Sequence, residues 1–389
     1  TVYGLAASAY DPAAIKKIFQ AKGRPQEGQR EMTNVLCTRW IPGECEAEYG
    51  DVFQFICPEK EGGSFAREEL LELMPRADIL FSIAGTPVTR DMIDRGSSPE
   101  HGRGVGQGSS PEQGNGIGQG RGLKIIASLG VGYDHVDVEY AAEKRIPVVN
   151  SPTQVTEPTA EHTIALVMGI FHNLYRYTAQ VRAGIWNTSA FGTTQTSVSG
   201  HVLGIVGMGR IGQCVGKKAA ALGMKVLYHD PLRLAEEKER ENGFEYGSLA
   251  EVLEKSDCVT LHVPYTGENR HMFGREAFAR MKQGAYFVNA SRGGLVDTAA
   301  LADALRSGRL KGAALDVFEK EPYTTGELAG LDQVILTPHV ASETWDARMN
   351  MARECLDGAR ELLLGNRPAN VVNPQVLEYV DKGRETGEE

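Results

Sequence analysis

The segment GMGRIG at 207–212 constrains the fold more than any other part of the chain. It follows an apolar, β-branched run that predicts a buried strand, and it opens a predicted helix. In that setting the first glycine permits a tight turn, the second lets the backbone approach a pyrophosphate, and the third lets helix and strand pack closely. Unpaired N–H groups at the helix N-terminus then face the phosphates. The pattern predicts a dinucleotide site at Gly207, Gly209, Arg210, Ile211 and Gly212.

An acidic residue at the end of the next predicted strand supports this prediction. Asp230 follows the glycines at about the 20-residue spacing of a carboxylate that accepts hydrogen bonds from the adenosine ribose. Because a carboxylate at this position repels a 2′-phosphate, the sequence favours NAD over NADP. Arg233 lies nearby and could bind that phosphate, which leaves the choice open.

The order of predicted elements indicates an α/β fold. From His201 onward, short β-branched runs alternate with helices, which is typical of βαβ units and a doubly wound parallel sheet. A second, smaller alternation of strands and helices precedes it and has no glycine fingerprint. The pattern also predicts one long helix from Glu157 to about Arg182 and an amphipathic last helix from Glu343 to about Leu364.

A tandem repeat interrupts the smaller unit. Residues 97–108 read SSPEHGRGVGQG, and residues 109–120 read SSPEQGNGIGQG. The repeat has no apolar period and almost nothing to bury, so it cannot offset the entropy lost on ordering. We therefore expect a flexible surface insertion over 96–122. A phosphate-binding glycine loop is the alternative, but such a loop needs a strand before it and a helix after it.

Charge and cysteine content argue against several classes of protein. The formal net charge is −10, and so acidic a surface repels nucleic acid and anionic lipid. The longest apolar stretch is far shorter than the ~20 residues that span a bilayer. The six cysteines include no C-x-x-C pair, so neither a metal site nor a disulfide framework is predicted. We expect a cytoplasmic protein without metal, nucleic-acid or membrane partners.

Three polar segments lie where later strands of the predicted sheet end, and ligands bind at that edge of open α/β sheets. Arg292 in NASRGG could hold a substrate carboxylate through two parallel hydrogen bonds. His339 in TPH could exchange a proton with a carbonyl oxygen. Glu321 in FEKEP could hydrogen-bond the imidazole and favour its charged form. Each residue alone also fits a structural role, and it is their shared edge that favours catalysis.

Six motifs in order along the chain resemble the D-2-hydroxyacid dehydrogenase family. They are GVGYDHVD at 130–137, GIVGMGRIGQ at 204–213, LHVP at 261–264, NASRGGLVD at 289–297, ALDVFEKEP at 314–322 and TPHVASET at 337–344. The resemblance implies catalytic roles for Arg292, Glu321 and His339. It also implies backbone contacts to the substrate carboxylate at Val131 and Gly132. The implied cofactor contacts in these later motifs are Ala290, Ser291, Arg292 and Asp316.

The resemblance also implies an architecture of two Rossmann-like lobes, with a discontinuous substrate lobe and a homodimer formed through the cofactor lobe. We place the substrate lobe at 33–150 and 340–374, the NAD-binding lobe at 151–339 and a charged tail at 375–389. The first 25 residues instead resemble the opening of the threonylcarbamoyl-AMP synthase family. We expect 1–31 to be a fused remnant without activity, with Met32 as the natural start of the dehydrogenase.

The function implied is NAD-dependent interconversion of a small 2-oxo acid and a D-2-hydroxy acid, with His339 as acid and base. One alternative is a short form of D-3-phosphoglycerate dehydrogenase. The loop FSIAGTPV at 81–88 lacks the arginine that those enzymes carry, and the chain ends before a C-terminal regulatory domain, so this substrate is not favoured. The other alternative is an NAD(H)-sensing binding protein of the corepressor kind, which shares the scaffold.

Overall fold

A computed structural model describes residues 32–83, 85–97, 122–186 and 195–378. The predictions for the fused segment 1–31, for the repeat insertion between 98 and 121 and for the tail beyond 378 lie outside the described residues. Within the described ranges, no helix is both long and apolar enough to cross a membrane.

The first half of the chain forms a five-stranded parallel sheet in the order β2-β1-β3-β4-β5. Its central strands are buried along their whole length because helices cover both faces, as parallel sheets require. The strands are β1 Thr33–Cys37, β2 Phe53–Ile56, β3 Ile79–Ser82, β4 Ile125–Ser128 and β5 Val148–Asn150. The helices between them are α1 Gly43–Tyr49, α2 Arg67–Leu73, α3 Arg90–Ser97 and α4 Val138–Glu143.

The second half forms a seven-stranded parallel sheet in the order β12-β11-β10-β9-β6-β7-β8. The strands are β6 Val202–Val206, β7 Lys225–His229, β8 Phe244–Tyr246, β9 Cys258–Leu261, β10 Ala285–Asn289, β11 Leu310–Leu315 and β12 Val334–Leu336. The helices are α5 Thr156–Phe171, α6 Leu174–Arg182, α7 Arg210–Ala221, α8 Glu236–Asn242, α9 Leu249–Lys255, α10 Arg275–Arg280 and α11 Thr298–Arg306. The strand order reverses between β6 and β9, which creates the crevice where doubly wound sheets bind nucleotides.

The last helix, α12 at Trp345–Leu363, returns to the first sheet. Its buried side chains Cys355, Leu356 and Ala359 pack in one core with Val35 of β1 and Phe81 of β3. Removing this apolar face from water is the main force that docks the helix. The core of the first sheet therefore includes a helix that follows the second sheet in the sequence.

Two parts of the secondary structure differ from the prediction. The single helix expected from Glu157 to about Arg182 is wrong, because the chain turns at Asn173, which has a left-handed φ of 49° and so ends one helix before the next begins. Asparagine tolerates this region better than most residues. Helix α8 and strand β8 were not predicted, since the helix sequence EEKEREN carries no apolar period.

Candidate active site

The glycine turn after β6 has room for a ligand on one side only. A Cβ atom on Gly207 would collide with the carbonyl of His262, and one on Gly212 would collide with the carbonyl of Gly207. A Cβ atom on Gly209 would meet no heavy atom within 4 Å, so this glycine faces open space. Gly207 also has a φ of 97°, which favours glycine. The turn thus fits a pyrophosphate that approaches the backbone at Gly209 and the start of α7, where Ile211 lies.

The carboxylate of Asp230 lies directly beside this turn. Its oxygens accept hydrogen bonds from the N–H groups of Met208 at 2.6 Å and Leu232 at 2.8 Å, which fixes its position at the end of β7. Arg233 is not free for a 2′-phosphate, because it donates to both carboxylate oxygens of Glu239 at 2.9 and 2.8 Å. These contacts favour a ribose with a free 2′-hydroxyl.

Arg210, the charged residue of the fingerprint, contacts the connection between the two sheets. Its Nη1 donates to the carbonyl of Pro152 at 2.8 Å. The side chain is exposed and lies at the N-terminal end of α7. Arg210, a predicted cofactor-binding residue, therefore also binds the segment that follows β5.

The loop after β10 holds Arg292 at the same edge of the sheet. Buried Asn289 donates to the carbonyl of Arg292 at 2.9 Å and accepts from the N–H of Ser291 at 3.0 Å. The hydroxyl of Ser291 donates to the carbonyl of Val263 at 2.5 Å, beside the glycine turn, and Ala290 is buried between them. The loop therefore connects Arg292 to the predicted dinucleotide site.

The guanidinium of Arg292 reaches the first sheet. Its Nη1 donates to the carbonyl of Ser291 at 2.8 Å, while Nε and Nη2 both lie 3.3 Å from Oδ1 of Asp134. A Cβ atom on Gly132 would overlap Nη2, so a side chain there would displace the guanidinium from this position. The sequence reasoning did not single out Asp134, although its place beside the glycines of GVGYD was a signal.

The backbone of Val131 and Gly132 presents unused donors near Arg292. Within the described part of the chain, neither N–H group donates a hydrogen bond. The carbonyl of Val131 accepts from Nδ2 of Asn150 at 2.9 Å, which fixes the turn. The predicted carboxylate contacts and the predicted catalytic arginine thus lie together.

Glu321 and His339 form a hydrogen-bonded pair. Oε2 of Glu321 lies 2.8 Å from Nδ1 of His339, and Oε1 accepts from the N–H of Phe318 at 3.0 Å. No described residue hydrogen-bonds to Nε2 of His339. Because a carboxylate at Nδ1 holds a proton there, the arrangement leaves Nε2 as the nitrogen that can exchange a proton with a ligand.

The charges around this pair favour its ionised form. The hydrogen bond that His339 donates to Glu321 raises the pKa of His339, against an opposing effect of burial and of the Arg292 charge. Burial alone would raise the pKa of Glu321, but its hydrogen bonds with His339 and Phe318, and the charge of Arg292, leave that pKa lowered. Arg292, Glu321 and His339 are therefore close enough to affect one another.

Asp316 is fully buried beneath the loop that carries His339. Its carboxylate accepts from the Thr337 hydroxyl at 2.6 Å and from the N–H groups of Val340 and Ala341, each at 2.9 Å. Nε2 of His162 lies 3.6 Å from the same carboxylate. The family resemblance implied Asp316 as a cofactor contact. In the structure its carboxylate binds the Thr337 side chain before His339 and the backbone of Val340 and Ala341 after it. No described cluster of His, Cys, Asp or Glu is arranged to bind a metal ion.

Comparison with known proteins identifies the family of the chain. The sequence profile of the D-isomer specific 2-hydroxyacid dehydrogenase, NAD binding domain, matches residues 164–341. A glyoxylate reductase of Thermococcus litoralis is 42% identical over 260 residues, which cover 66% of this chain and 78% of that protein. A D-3-phosphoglycerate dehydrogenase of Methanocaldococcus jannaschii is 38% identical over 308 residues, 79% of this chain. The chain spans only 54% of that second relative.

A solved structure has the same fold. The D-lactate dehydrogenase of Aquifex aeolicus, complexed with NAD and lactic acid, superposes with a TM-score of 0.69 at 27% identity, covering 87% of this chain and 99% of that one. The predicted α/β class with two Rossmann-like lobes is confirmed, as is the prediction of NAD as the cofactor. The chain belongs to the D-isomer specific 2-hydroxyacid dehydrogenase family.

Proposed function

We propose that the protein interconverts a small 2-oxo acid and the corresponding D-2-hydroxy acid with NAD(H). The observation that carries the proposal is the Glu321–His339 pair, whose free Nε2 lies within electrostatic reach of Arg292. An acid–base group beside a fixed cation suits a substrate that has a carbonyl next to a carboxylate. The relatives named for glyoxylate and phosphoglycerate, and the neighbour solved with lactic acid, act on or bind acids of this class.

Each residue of the site has a distinct part in this proposal. Arg292 and the N–H groups of Val131 and Gly132 bind the substrate carboxylate, which orients the carbonyl. In reduction, the imidazolium of His339 donates its Nε2 proton to the carbonyl oxygen and becomes neutral, while Glu321 keeps the proton on Nδ1. NADH, when bound, supplies the hydride. In oxidation the neutral imidazole takes the hydroxyl proton, so His339 serves both directions.

We propose a homodimer formed through α6. On this helix Leu174 and Val181 are 57% and 56% exposed, and the following Ile185 and Trp186 are 51% and 82% exposed. Leu174 and Val181 are seven residues apart and therefore lie on one face of α6, and exposed apolar side chains grouped in this way are typical of an interaction surface. Val181→Asp should convert the dimer to a monomer in light scattering of the eluted protein, and an unchanged mass would contradict this interface.

We propose that the protein works in the cytoplasm, where thiols stay reduced. All six cysteines lie in the described residues and none forms a disulfide.

Turnover of a substrate panel tests the proposed reaction. Oxidation of NADH should occur with at least one of glyoxylate, hydroxypyruvate, pyruvate and phosphohydroxypyruvate, and Arg292→Ala should abolish it. Preference for phosphohydroxypyruvate would identify the phosphoglycerate alternative. Tight NADH binding without turnover of any 2-oxo acid would overturn the proposal in favour of a nucleotide-sensing binding protein.

A further inference from the structure

The loop that carries Glu321 also holds the carboxylate of a second carboxylate–imidazole pair, whose histidine comes from the loop before α10. Oε1 of Glu319 is 2.5 Å from Nε2 of His271. The two side chains are 28% and 34% exposed, and neither contacts His339 in the structure. This pair therefore has no evident place in the proposed reaction, yet it is only two residues from Glu321.

The second oxygen of Glu319 ties the loop to the start of α11. Oε2 accepts from the Thr298 hydroxyl at 2.7 Å and from the Thr298 N–H at 3.1 Å. Arg270 lies 3.8 Å from Oε1. Burial would raise the pKa of Glu319, but the hydrogen bonds from Thr298 and His271 leave it lowered. The carboxylate is thus ionised and has partners at both oxygens.

His271 connects this carboxylate to the turn that follows Arg292. Its backbone N–H donates to the carbonyl of Gly294 at 2.9 Å, two residues beyond Arg292. Directly beside this bond, Gly293 packs so closely on the loop that a Cβ atom would overlap the carbonyl of Phe318. One residue therefore holds the arginine loop with its backbone and the glutamate loop with its imidazole.

Phe318 passes this constraint to the catalytic pair, because its carbonyl packs on Gly293 and its N–H faces Glu321. The N–H of Phe318 donates to Oε1 of Glu321 at 3.0 Å, and Glu321 in turn holds His339. We propose that Glu319 and His271 are positioning residues that keep Glu321, and through it His339, in register with Arg292. This inference rests on the proposed function for its kinetic consequences.

Replacing Glu319 tests the proposal through the ionisation of His339. The charged groups that face this imidazole are Glu321, Arg292 and Asp316, and only the placement of Glu321 should change in Glu319→Ala. Looser contact with Glu321 should lower the pKa of His339 by about 0.5–1 unit. Since reduction needs the imidazolium, the high-pH limb of kcat should move to lower pH by the same amount.

In Glu319→Ala the proposed reacting group His339 is still present but is misplaced, and this should set the size of the kinetic effect. We expect kcat to fall about 10- to 100-fold, as misplacements of about 1 Å do, while the KM for NADH changes by less than about twofold because the glycine turn is untouched. Glu319→Gln retains one acceptor and should recover part of the loss. Glu327→Ala, which removes an exposed carboxylate near Arg306, is the matched control and should resemble the unmodified protein.

A measurement independent of turnover separates this inference from the proposed function. NMR titration of isotope-labelled histidine, with the His339 signal assigned from His339→Asn, reports the His339 pKa directly. A downward shift in Glu319→Ala but not in Glu327→Ala supports the positioning role. Normal pH dependence and an unshifted His339 in a folded Glu319→Ala protein would overturn it, whether or not the unmodified protein reduces 2-oxo acids.

Discussion

The loop after β11 carries the carboxylates of two carboxylate–imidazole pairs, an inner pair (Glu321–His339) and an outer pair (Glu319–His271). Both histidines have a left-handed φ, 56° at His339 and 55° at His271. In the inner pair the glutamate contacts Nδ1, and Nε2 has no partner among the described residues. In the outer pair the glutamate contacts Nε2, and its other oxygen binds the first turn of a helix.

The difference between the pairs shows that a glutamate–histidine pair can have more than one role in the same protein. The inner imidazole keeps the nitrogen that points away from its glutamate available for a ligand, with Arg292 nearby. The outer glutamate has partners on both sides, so the pair holds backbone segments together. In the proposed reaction, similar bonds thus support proton transfer in one place and loop position in the other, depending on which ring nitrogen is occupied.

The largest effect should come from replacing the two histidines in the same way. His339→Asn removes the proposed acid–base group and should lower kcat by about 10²–10⁴. His271→Asn removes only a contact between loops and should lower kcat by about tenfold or less. Asparagine tolerates a left-handed φ, so both variants should fold. Steady-state kinetics with NADH and the best 2-oxo acid would measure kcat for both variants. Equal losses of kcat would show that the two pairs do not differ in role.

The next effect should come from the arginines near each pair. Arg292→Lys keeps the charge but loses the planar fork, and we expect the KM for the 2-oxo acid to rise about 10- to 100-fold, the equivalent of one charged hydrogen bond. Arg270 lies near Glu319 at 3.8 Å, and Arg270→Lys should leave this KM unchanged. A similar rise in both variants would mean that substrate affinity depends on overall charge rather than on Arg292.

The sequence revealed the inner pair more readily than the outer pair for a physical reason. Residues at the carboxyl ends of adjacent parallel strands must meet at one edge, so Arg292, Glu321 and His339 could be grouped from their positions in the chain alone. His271 and Glu319 are 48 residues apart, and His271 lies in a loop before a short helix, where no periodic pattern fixes its direction. Such loop contacts depend on tertiary packing alone.

In the fold, too, features set by local backbone geometry could be predicted from the sequence, and features set by tertiary packing could not. The glycine fingerprint could be recognised because backbone geometry demands glycine at Gly207 and Gly212. The break at Asn173 was missed, because the apolar pattern of α5 continues into α6 and one residue with positive φ leaves little trace in sequence. The bond between Arg292 and Asp134 joins the two sheets, and no local pattern predicts how two lobes meet.

A smaller effect, on pH dependence, should distinguish the two glutamates. Glu321→Gln removes the main cause of the raised pKa of His339. That pKa should fall by about one unit or more, the usual effect of a neighbouring carboxylate, so the high-pH limb of reduction moves to lower pH. Glu319→Gln should move it less, because it acts only through the position of Glu321. Profiles of kcat against pH would compare them, and a larger shift in Glu319→Gln would contradict the proposed order.

The smallest effect should be on stability, and its sign follows from the two pKa shifts. Glu321 has a lowered pKa, so its contribution is present above about pH 4.3, its unfolded value, and is lost as pH falls through the folded pKa. His339 has a raised pKa, so its contribution is present below about pH 6.5 and is lost as pH rises through the folded pKa. The inner pair therefore stabilises the protein most between about pH 4.3 and 6.5.

Urea unfolding of the unmodified protein and His339→Asn would detect this window. The side chains are 49% and 36% exposed, so solvent screening limits the ion-pair part of the difference in the free energy of unfolding to about 0.5 kcal/mol near pH 5.5. At about pH 9 the imidazole is neutral, and the difference should shrink toward the cost of its lost packing alone. An equal difference at both pH values would show that the charged state of His339 adds nothing to stability, and that the pair serves the reaction only.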